Sequence, residues 1–292
     1  MGGMVRYGLF LGCLIPFRYP SIELAARKVL EALGADFSDV QGYSCCPEPV
    51  ITRLMDRDLW LALSARNLAL AEKQGIDRLF VLCNGCYETL LEAEEALKEP
   101  EEREKVNSVL ARFGYRYEGK VELLHAVEAL HRDFRAKIEE LVKAPLEARV
   151  AVHYGCHMFR SRPGEDIWSK PNMMRELLRA LGAELVDYKL ERLCCGFPSS
   201  NVDMEFSLKE RLATKLEAIT AAGADCVVMA CPACISQFET GQMALKRYGM
   251  EFNVPVLHLM EVMAMCFGVK PKELGLEVHR SPVVKLAEEV WG

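Results

Sequence analysis

Ten of the twelve cysteines fall into two matching sets of five, one in each half of the chain. Each set consists of a single cysteine, an adjacent pair and a Cys-x-x-Cys motif. The first set is Cys13, Cys45, Cys46, Cys83 and Cys86, and the second is Cys156, Cys194, Cys195, Cys231 and Cys234. The single cysteines are 143 positions apart, the second members of the pairs 149, and both members of the Cys-x-x-Cys motifs 148. Two five-thiol sites on a duplicated scaffold predict paired metal centres, with iron–sulfur clusters favoured.

Four interpretations of these cysteines compete. A thioredoxin-type redox pair would use only the Cys-x-x-Cys motif. Structural zinc sites would use four thiolates each and leave one cysteine over in each half. Buried cysteines without metal would leave the doubled spacing unexplained. Iron–sulfur ligation accounts for most of the pattern, although the chain has no ferredoxin-type run of cysteines. A cubane four-iron cluster needs four thiolates, so either one cysteine per half is catalytic or each cluster uses all five.

The composition narrows the class of protein. The chain has 292 residues, of which 51% are hydrophobic, and a net charge of −6. It is therefore expected to be globular and not to bind nucleic acid. The first seven residues lack the layout of a signal peptide, and the longest apolar region, 254–269, is too short to span a membrane. We expect a cytoplasmic protein, in which clustered thiols more often bind metal than form disulfides.

The repeat extends to the elements between the cysteines. Each half is predicted to begin with a strand that ends at the single cysteine, followed by a helix and a short strand that ends at the cysteine pair. A longer helix, a strand that leads into the Cys-x-x-Cys motif, and a last strand and helix are predicted to follow. The strands and first two helices are predicted at 5–13, 22–33, 60–74, 79–82 and 121–125, and again at 149–156, 173–181, 206–222, 227–230 and 254–258. The polar stretch 92–105 predicts a solvated helix.

This alternation predicts an α/β fold of two homologous half-domains, 1–145 and 146–292, each a small parallel β-sheet flanked by helices. Pseudo-twofold symmetry is expected to relate the two halves. Open parallel sheets place their ligand sites at the carboxyl ends of the strands, where the cysteine motifs lie. The helices that follow Cys86 and Cys234 would also favour the negative charge of a thiolate-ligated cluster at their amino termini.

The motifs together resemble a known family. The supporting segments are Phe10-Leu11-Gly12-Cys13, Ser44-Cys45-Cys46-Pro47, Leu82-Cys83-Asn84-Gly85-Cys86-Tyr87, Val152-His153-Tyr154-Gly155-Cys156-His157 and Pro255-Val256-Leu257-His258. The arrangement resembles the cysteine-rich CCG domain family, whose eponymous motif stands here as Cys194-Cys195-Gly196. Over nearly its full length the chain is also similar to the HdrB polypeptides, the B components of heterodisulfide reductases.

The resemblance implies an oxidoreductase with two non-cubane [4Fe-4S] clusters, each held by the five cysteines of one set. It implies a disulfide bound between the clusters and reduced to two thiols, which in methanogens is the heterodisulfide of coenzyme M and coenzyme B. Two alternatives stay open: a related CCG-type protein acting on another disulfide or a sulfur carrier, and a non-catalytic electron-transfer component of a dehydrogenase or quinone reductase. Gly196 is followed by Phe197 and Pro198, where the methanogen form is expected to be glycine-rich, so the disulfide could differ.

The partners follow from what the chain lacks. No Gly-x-Gly-x-x-Gly motif is present, so no flavin or nucleotide is expected in this chain. Electrons must then come from another polypeptide. The resemblance implies a small ferredoxin-like electron donor (the C component) and, through it, a flavin-containing polypeptide (the A component) of an electron-bifurcating complex. The Met-rich stretch 260–267 could meet such a partner or fill gaps in the core.

Three residues outside the cysteine sets are candidates for catalysis. His153 and His157 flank Cys156 and could give a proton to a departing thiolate, or only hydrogen-bond the cluster sulfurs. Arg18 lies in a predicted loop after Cys13 and could bind an anionic thiol substrate, or be an ordinary surface arginine.

Four further residues are predicted to be structural. His125 and His258 occupy equivalent strand ends and are expected to be satisfied structural histidines. Cys226 and Cys266 fall outside the repeat and are expected to be buried, inert thiols.

Overall fold

The computed structural model describes residues 5–160 and 162–292. Residues 1–4, on which part of the expectation about a signal peptide depends, lie outside this range. Among the described residues, no helix combines the length and the apolarity needed to cross a membrane.

The first half contains four strands and seven helices in the described part. The strands are β1 (Arg6–Phe10), β2 (Asp36–Asp39), β3 (Arg78–Val81) and β4 (Glu122–His125). The helices are α1 (Leu14–Arg18), α2 (Pro20–Ala32), α3 (Ile51–Met55), α4 (Arg57–Lys73), α5 (Asn84–Ala96), α6 (Pro100–Ala111) and α7 (Ala126–Leu141).

The second half repeats the order of the strands. Its strands are β5 (Arg149–His153), β6 (Glu184–Val186), β7 (Cys226–Met229) and β8 (Val256–His258). Its α-helices are α8 (Ser169–Ala180), α9 (Met204–Phe206), α10 (Thr214–Ala221), α11 (Pro232–Leu245), α12 (Leu259–Cys266), α13 (Pro271–Leu274) and α14 (Val283–Trp291). A π-helical segment, Ser207–Ala213, joins α9 to α10.

Two parallel sheets of the same topology confirm the predicted fold class. The strand orders are β2-β1-β3-β4 and β6-β5-β7-β8, and every described pair is parallel. Phe10 is in register with Val81, and His153 is in register with Met229. Because Val81 and Met229 both lie two residues before a Cys-x-x-Cys motif, Phe10 and His153 occupy equivalent positions in the two sheets.

The chain forms two compact units whose limits differ from those of the repeat. The first unit contains the described residues up to Cys13 together with Gly34–Ala129, and the second contains Leu14–Leu33 and Leu130–Gly292. Helices α1 and α2 therefore belong to the second unit, where α2 packs against α12. The division into 1–145 and 146–292 describes the sequence repeat and stays a prediction, as does the pseudo-twofold relation.

A buried ionic cluster holds the second unit together. Glu239 on α11 and Glu261 on α12 each lie 2.9 Å from one ring nitrogen of His279, and we call these three residues the buried triad. Tyr19, which precedes α2, donates its hydroxyl to the same Glu239 carboxylate at 2.9 Å. Burial alone would lower the pKa of His279, but the charge of Glu261 and the hydrogen bonds to both carboxylates raise it to about 10. The triad thus contains an imidazolium between two carboxylates.

The structure corrects two local predictions and decides between the two alternatives left open for the Met-rich stretch. The polar stretch 92–105 is not one helix, because α5 ends at Ala96 and Pro100, whose fixed φ suits the first turn, begins α6. Strand β2 ends at Asp39, so the pair Cys45-Cys46 lies in the following loop and not at the strand end. All residues of α12 are buried, so the Met-rich stretch fills the core and offers no partner surface.

Candidate metal centres

The five thiols of the first set converge at the carboxyl end of the first sheet. Cys45 hydrogen-bonds to Cys13 and to Cys46. The Sγ atoms of Cys46 and Cys86 lie 2.9 Å apart, and Cys86 in turn hydrogen-bonds to Cys83. Three motifs that are distant in sequence therefore form one continuous thiol cluster within the first unit.

The second set forms the equivalent chain of contacts within the second unit. The Sγ atoms of Cys156 and Cys194 lie 3.9 Å apart, and those of Cys195 and Cys234 lie 3.5 Å apart. Cys194 hydrogen-bonds to Cys195, and Cys234 hydrogen-bonds to Cys231. The single cysteine, the pair and the Cys-x-x-Cys motif thus connect in the same order in both halves.

The local backbone explains why the thiols can approach so closely. Gly12, just before Cys13, has φ +69°, and a Cβ atom there would lie 2.8 Å from the Sγ of Cys86. Only glycine combines the left-handed backbone with the absence of a side chain at this point. Gly155 precedes Cys156 with φ +76° and so repeats the left-handed turn in the second half.

Helix amino termini add positive potential to both sets. Cys83 is the N-cap residue of α5 and Cys231 is the N-cap residue of α11. Cys86 and Cys234 follow in the first turns of those helices. The helix dipole stabilises negative charge there. It acts against the hydrogen bonds with neighbouring thiols and the burial that raise the pKa of Cys86 and of Cys234.

Hydrogen bonds between thiols also favour one thiolate per set. Hydrogen bonds from Cys45 and Cys86 lower the pKa of Cys46 to about 5. Hydrogen bonds from Cys156 and Cys195 lower the pKa of Cys194 to about 2, and the backbone N–H of Gly196 donates to the same sulfur at 3.4 Å. Metal ligation requires the deprotonated form, so each set already contains a thiol that is readily ionised.

Each set is buried on one side and open on the other. In the first set Cys13 and Cys45 are exposed while the other three thiols are buried. In the second set Cys156 and Cys194 are partly exposed and the other three are buried. The single cysteine and the first member of the pair therefore form the accessible edge of both sites.

This donor set fits a thiolate-ligated iron–sulfur group. None of the cysteines in the described part of the chain forms a disulfide. Each site brings five sulfurs together, one more than a tetrahedral zinc ion takes. A ring nitrogen of His153 lies within 4.8 Å of the Sγ atoms of Cys195 and Cys234, which adds a possible nitrogen donor in the second half.

His153 is the predicted catalytic residue that the structure brings to a cysteine set. Its ring is fully buried, and its Nε2 atom has no hydrogen-bond partner among the described residues. Lys215 Nζ lies 3.2 Å from its Nδ1 atom. Burial, and then the charge of Lys215, lower the pKa of His153, so the imidazole is neutral.

The other two predicted catalytic residues lie in a short 3₁₀ helix and at the end of α1. His157 is partly exposed in the short 3₁₀ helix Cys156–Phe159. Arg18 is the last residue of α1, and not part of a loop, and its Nε atom donates to the hydroxyl of Tyr19 at 3.1 Å. Roles for both in catalysis stay predictions.

The residues predicted to be structural are found in structural positions. His125 is buried, contacts Asn84 through Nε2 at 2.9 Å and accepts from the backbone of Val127. His258 is the N-cap of α12, where its Nδ1 accepts from Met260. Cys226 and Cys266 are fully buried.

Lys215 is the site residue that sequence analysis missed. It is fully buried beside the second set, and burial lowers its pKa to about 8. Its position could have been noticed, because Lys215 lies three residues after Leu212 and four before Ile219, on the apolar face of the helix. A lysine on such a face needs a partner in the interior.

Comparisons with known proteins agree with this geometry. The model of the cysteine-rich domain, CCG, matches twice, at residues 7–91 and 150–239. The chain is 38% identical over 297 residues to the B component of the ferredoxin:CoB-CoM heterodisulfide reductase of Methanosarcina mazei, with 99% of this chain and 98% of that protein covered.

A more distant relative has a different name. The chain is 29% identical to the 8-methylmenaquinol:fumarate reductase membrane anchor subunit of Wolinella succinogenes, covering 96% of this chain and 99% of that protein. Among solved structures, a hypothetical protein from Helicobacter pylori matches with a TM-score of 0.71 at 20% identity, over 96% of this chain and 52% of that one. This structural likeness supports the fold alone.

Proposed function

The chain belongs to the cysteine-rich CCG domain family and, within it, to the HdrB proteins of heterodisulfide reductases, and from this we propose that it is the catalytic subunit of a disulfide reductase complex. It reduces a disulfide to two thiols at two [4Fe-4S] clusters of non-cubane type. The observation that carries the proposal is the presence of two equivalent five-thiol clusters, each open at its single cysteine and the first member of its pair.

The ten clustered cysteines would hold the two iron–sulfur groups. When bound, these groups would supply the one-electron chemistry that thiols and histidines lack. Cys46 and Cys194, whose pKa values are lowered, would be the first thiols in each set to ligate. The buried thiols of each Cys-x-x-Cys motif keep water from one side of the site, and the exposed cysteines leave the other side open to substrate.

Disulfide reduction consumes two electrons and two protons and releases two thiols. A ferredoxin-like C component, supplied in turn by a flavin-containing A component, is the proposed source of the electrons. His153 is the proposed proton relay at the second set, because a ring nitrogen lies within 4.8 Å of two of the thiols. As Nε2 gives up its proton, the Lys215 ammonium 3.2 Å from Nδ1 would supply a proton to the other ring nitrogen, so that the imidazole stays neutral. His157 and Arg18 are proposed to contact the substrate, and we propose a cytoplasmic location.

The proposed substrate is the heterodisulfide of coenzyme M and coenzyme B, or a related disulfide. The resemblance to the Methanosarcina protein supports the first. The bulky sequence Phe197-Pro198 supports a different disulfide, since it follows the second cysteine pair and Gly196 directly in the sequence.

A second candidate function is electron relay without catalysis. The relative from Wolinella succinogenes, whose name is that of a quinol:fumarate reductase component, supports this alternative. The exposed thiols of the first set and the partly exposed thiols of the second favour catalysis, because a pure relay centre gains nothing from an open coordination edge.

Disulfide turnover by the anaerobically purified protein separates the two. With a chemical one-electron reductant, the catalytic proposal predicts two thiols released per disulfide consumed, and a slower rate in His153→Gln at unchanged iron content. Electron uptake without thiol release from the coenzyme heterodisulfide, other disulfides or persulfide carriers would contradict catalysis and favour relay.

A further inference from the structure

The two cysteine sets differ in the groups that surround them. Phe10 and His153 are equivalent by strand register, so an apolar ring in the first half is replaced by an imidazole in the second. The matching helices differ as well. In the first half this helix is α4, and in the second half it is the continuous helix formed by α9, the π-helical segment and α10. The N-cap residues of the two helices, Asp56 and Asp203, are 147 positions apart, whereas the glycines just after their ends, Gly75 and Gly223, are 148 positions apart.

The π-helical segment accounts for this extra residue. A π-helical turn holds one residue more than the α-helical turn it replaces, and such insertions often lie at functional sites. The segment Ser207–Ala213 lies between the two reference points in the second half, while α4 is α-helical throughout. After the insertion, equivalent residues of the two halves are 148 positions apart, so Lys215 is the counterpart of Asn67.

Asn67 and Lys215 share one task. Asn67 donates its side-chain amide to the carbonyl oxygen of Ser44 at 3.2 Å and accepts from the N–H of the same residue at 3.0 Å. Lys215 donates to the carbonyl oxygen of Glu191 at 3.1 Å. Each side chain therefore hydrogen-bonds to the backbone of the loop that carries the cysteine pair of its own half.

Lys215 has a second contact with no parallel at Asn67. Its Nζ atom lies 3.2 Å from Nδ1 of His153. An ammonium group has donors and no acceptor, so Nδ1 must be the unprotonated acceptor and the ring proton must be on Nε2. This Nε2–H group is buried and has no partner in the described chain.

We propose that Lys215 is a positioning residue that fixes the Nε2–H tautomer of His153 and so gives the second cysteine set a hydrogen-bond donor at the position that Phe10 occupies in the first half. The inference extends the proposed function, on which its consequence for the clusters rests. Hydrogen bonds to cluster sulfurs and nearby positive charge raise the reduction potential of an iron–sulfur centre. The second centre is therefore the easier of the two to reduce.

The tautomer is tested directly by ¹⁵N NMR of protein labelled at histidine, with the His153 signals assigned by loss in His153→Gln. Wild-type protein is expected to show an unprotonated Nδ1 and a protonated Nε2. In Lys215→Met the proton is expected to redistribute between the two nitrogens. Lys209→Met is the matched control, because Lys209 is a partly exposed lysine of the π-helical segment and pairs with Glu205 at 2.6 Å. An unchanged His153 tautomer in Lys215→Met would overturn the proposal.

The expected difference in reduction potential between the two centres is tested by redox titration followed by electron paramagnetic resonance. Two midpoint potentials are expected, and Lys215→Met is expected to lower the higher one by at least a tenfold change in the reduction equilibrium, about 59 mV for one electron. Lys209→Met should leave both unchanged. Equal potentials in wild-type protein, or no shift in Lys215→Met, would refute the claimed inequality. Iron analysis of the same samples keeps the tests separate, since missing iron would contradict the proposed function while the NMR result still decides the role of Lys215.

Discussion

Replacing Gly12 by alanine tests whether the first thiol cluster depends on a glycine at its edge. The new Cβ would lie 2.8 Å from the Sγ of Cys86, closer than carbon and sulfur can approach. Gly75 has the same φ, +69°, but a Cβ there would meet nothing within 4 Å. Gly75→Ala is therefore a control with the same backbone strain and no steric conflict.

The two variants should lose different amounts of unfolding free energy, and the difference separates backbone strain from the steric conflict with Cys86. A left-handed conformation costs a non-glycine residue about 1–2 kcal/mol, and both variants should lose this much unfolding free energy. Overpacking a filled site costs about 1–3 kcal/mol more, which only Gly12→Ala should lose. Cys86 would have to move, so about four of an expected eight irons should be missing from this variant.

Chemical denaturation of the apo forms and iron analysis of the loaded forms measure the two effects. Full iron content in Gly12→Ala, equal to that of Gly75→Ala, would refute the assignment of Cys86 to a cluster beside Gly12. A loss of iron in both variants would show that the effect arises from general destabilisation.

Four further predictions concern the buried triad, the thiols and the N-cap of α4. His279→Gln should lower the unfolding free energy by about 3–5 kcal/mol, because it leaves the two carboxylates of the buried triad without their cation, and thermal unfolding measures this. Since the pKa of His279 is raised to about 10, the triad's contribution in wild-type protein should be complete below pH 6.5 and disappear as the pH rises through 10; pH-independent stability between 7 and 11 would contradict this. Cys234→Ala should remove iron while Cys226→Ala, also a buried thiol, should not, as colorimetric iron analysis would show. Asp56→Ala should cost about 1 kcal/mol in urea denaturation, because its carboxylate accepts from Leu59 at the start of α4.

The repeat made the fold predictable to a large extent. Apolar periodicity and the doubled cysteine spacing specified the parallel sheets, because β1, β3, β5 and β7 are short, mostly buried runs that lead into a cysteine motif. The break before Pro100 was a local proline signal that the polar composition concealed. The sequence could not show that α1 and α2 belong to the second unit. Tyr19 hydrogen-bonds to Glu239 of the buried triad, and the two residues lie far apart in the chain.

The candidate site was predictable only in part. The cysteine ligand candidates came from spacing, and His153 from its nearness to Cys156 in sequence. Lys215 lies 62 positions from His153, and the contact between them depends on a one-residue π-helical insertion that changes the register of the helix. Side-chain pairs of this kind are set by tertiary packing and leave no local pattern.

The content of iron and acid-labile sulfide in anaerobically purified protein tests the central claim most directly. Two four-iron groups predict about eight irons and about eight sulfides per chain, halved when the cysteines of either set are replaced by alanine. One or two zinc ions per chain without sulfide would contradict the account.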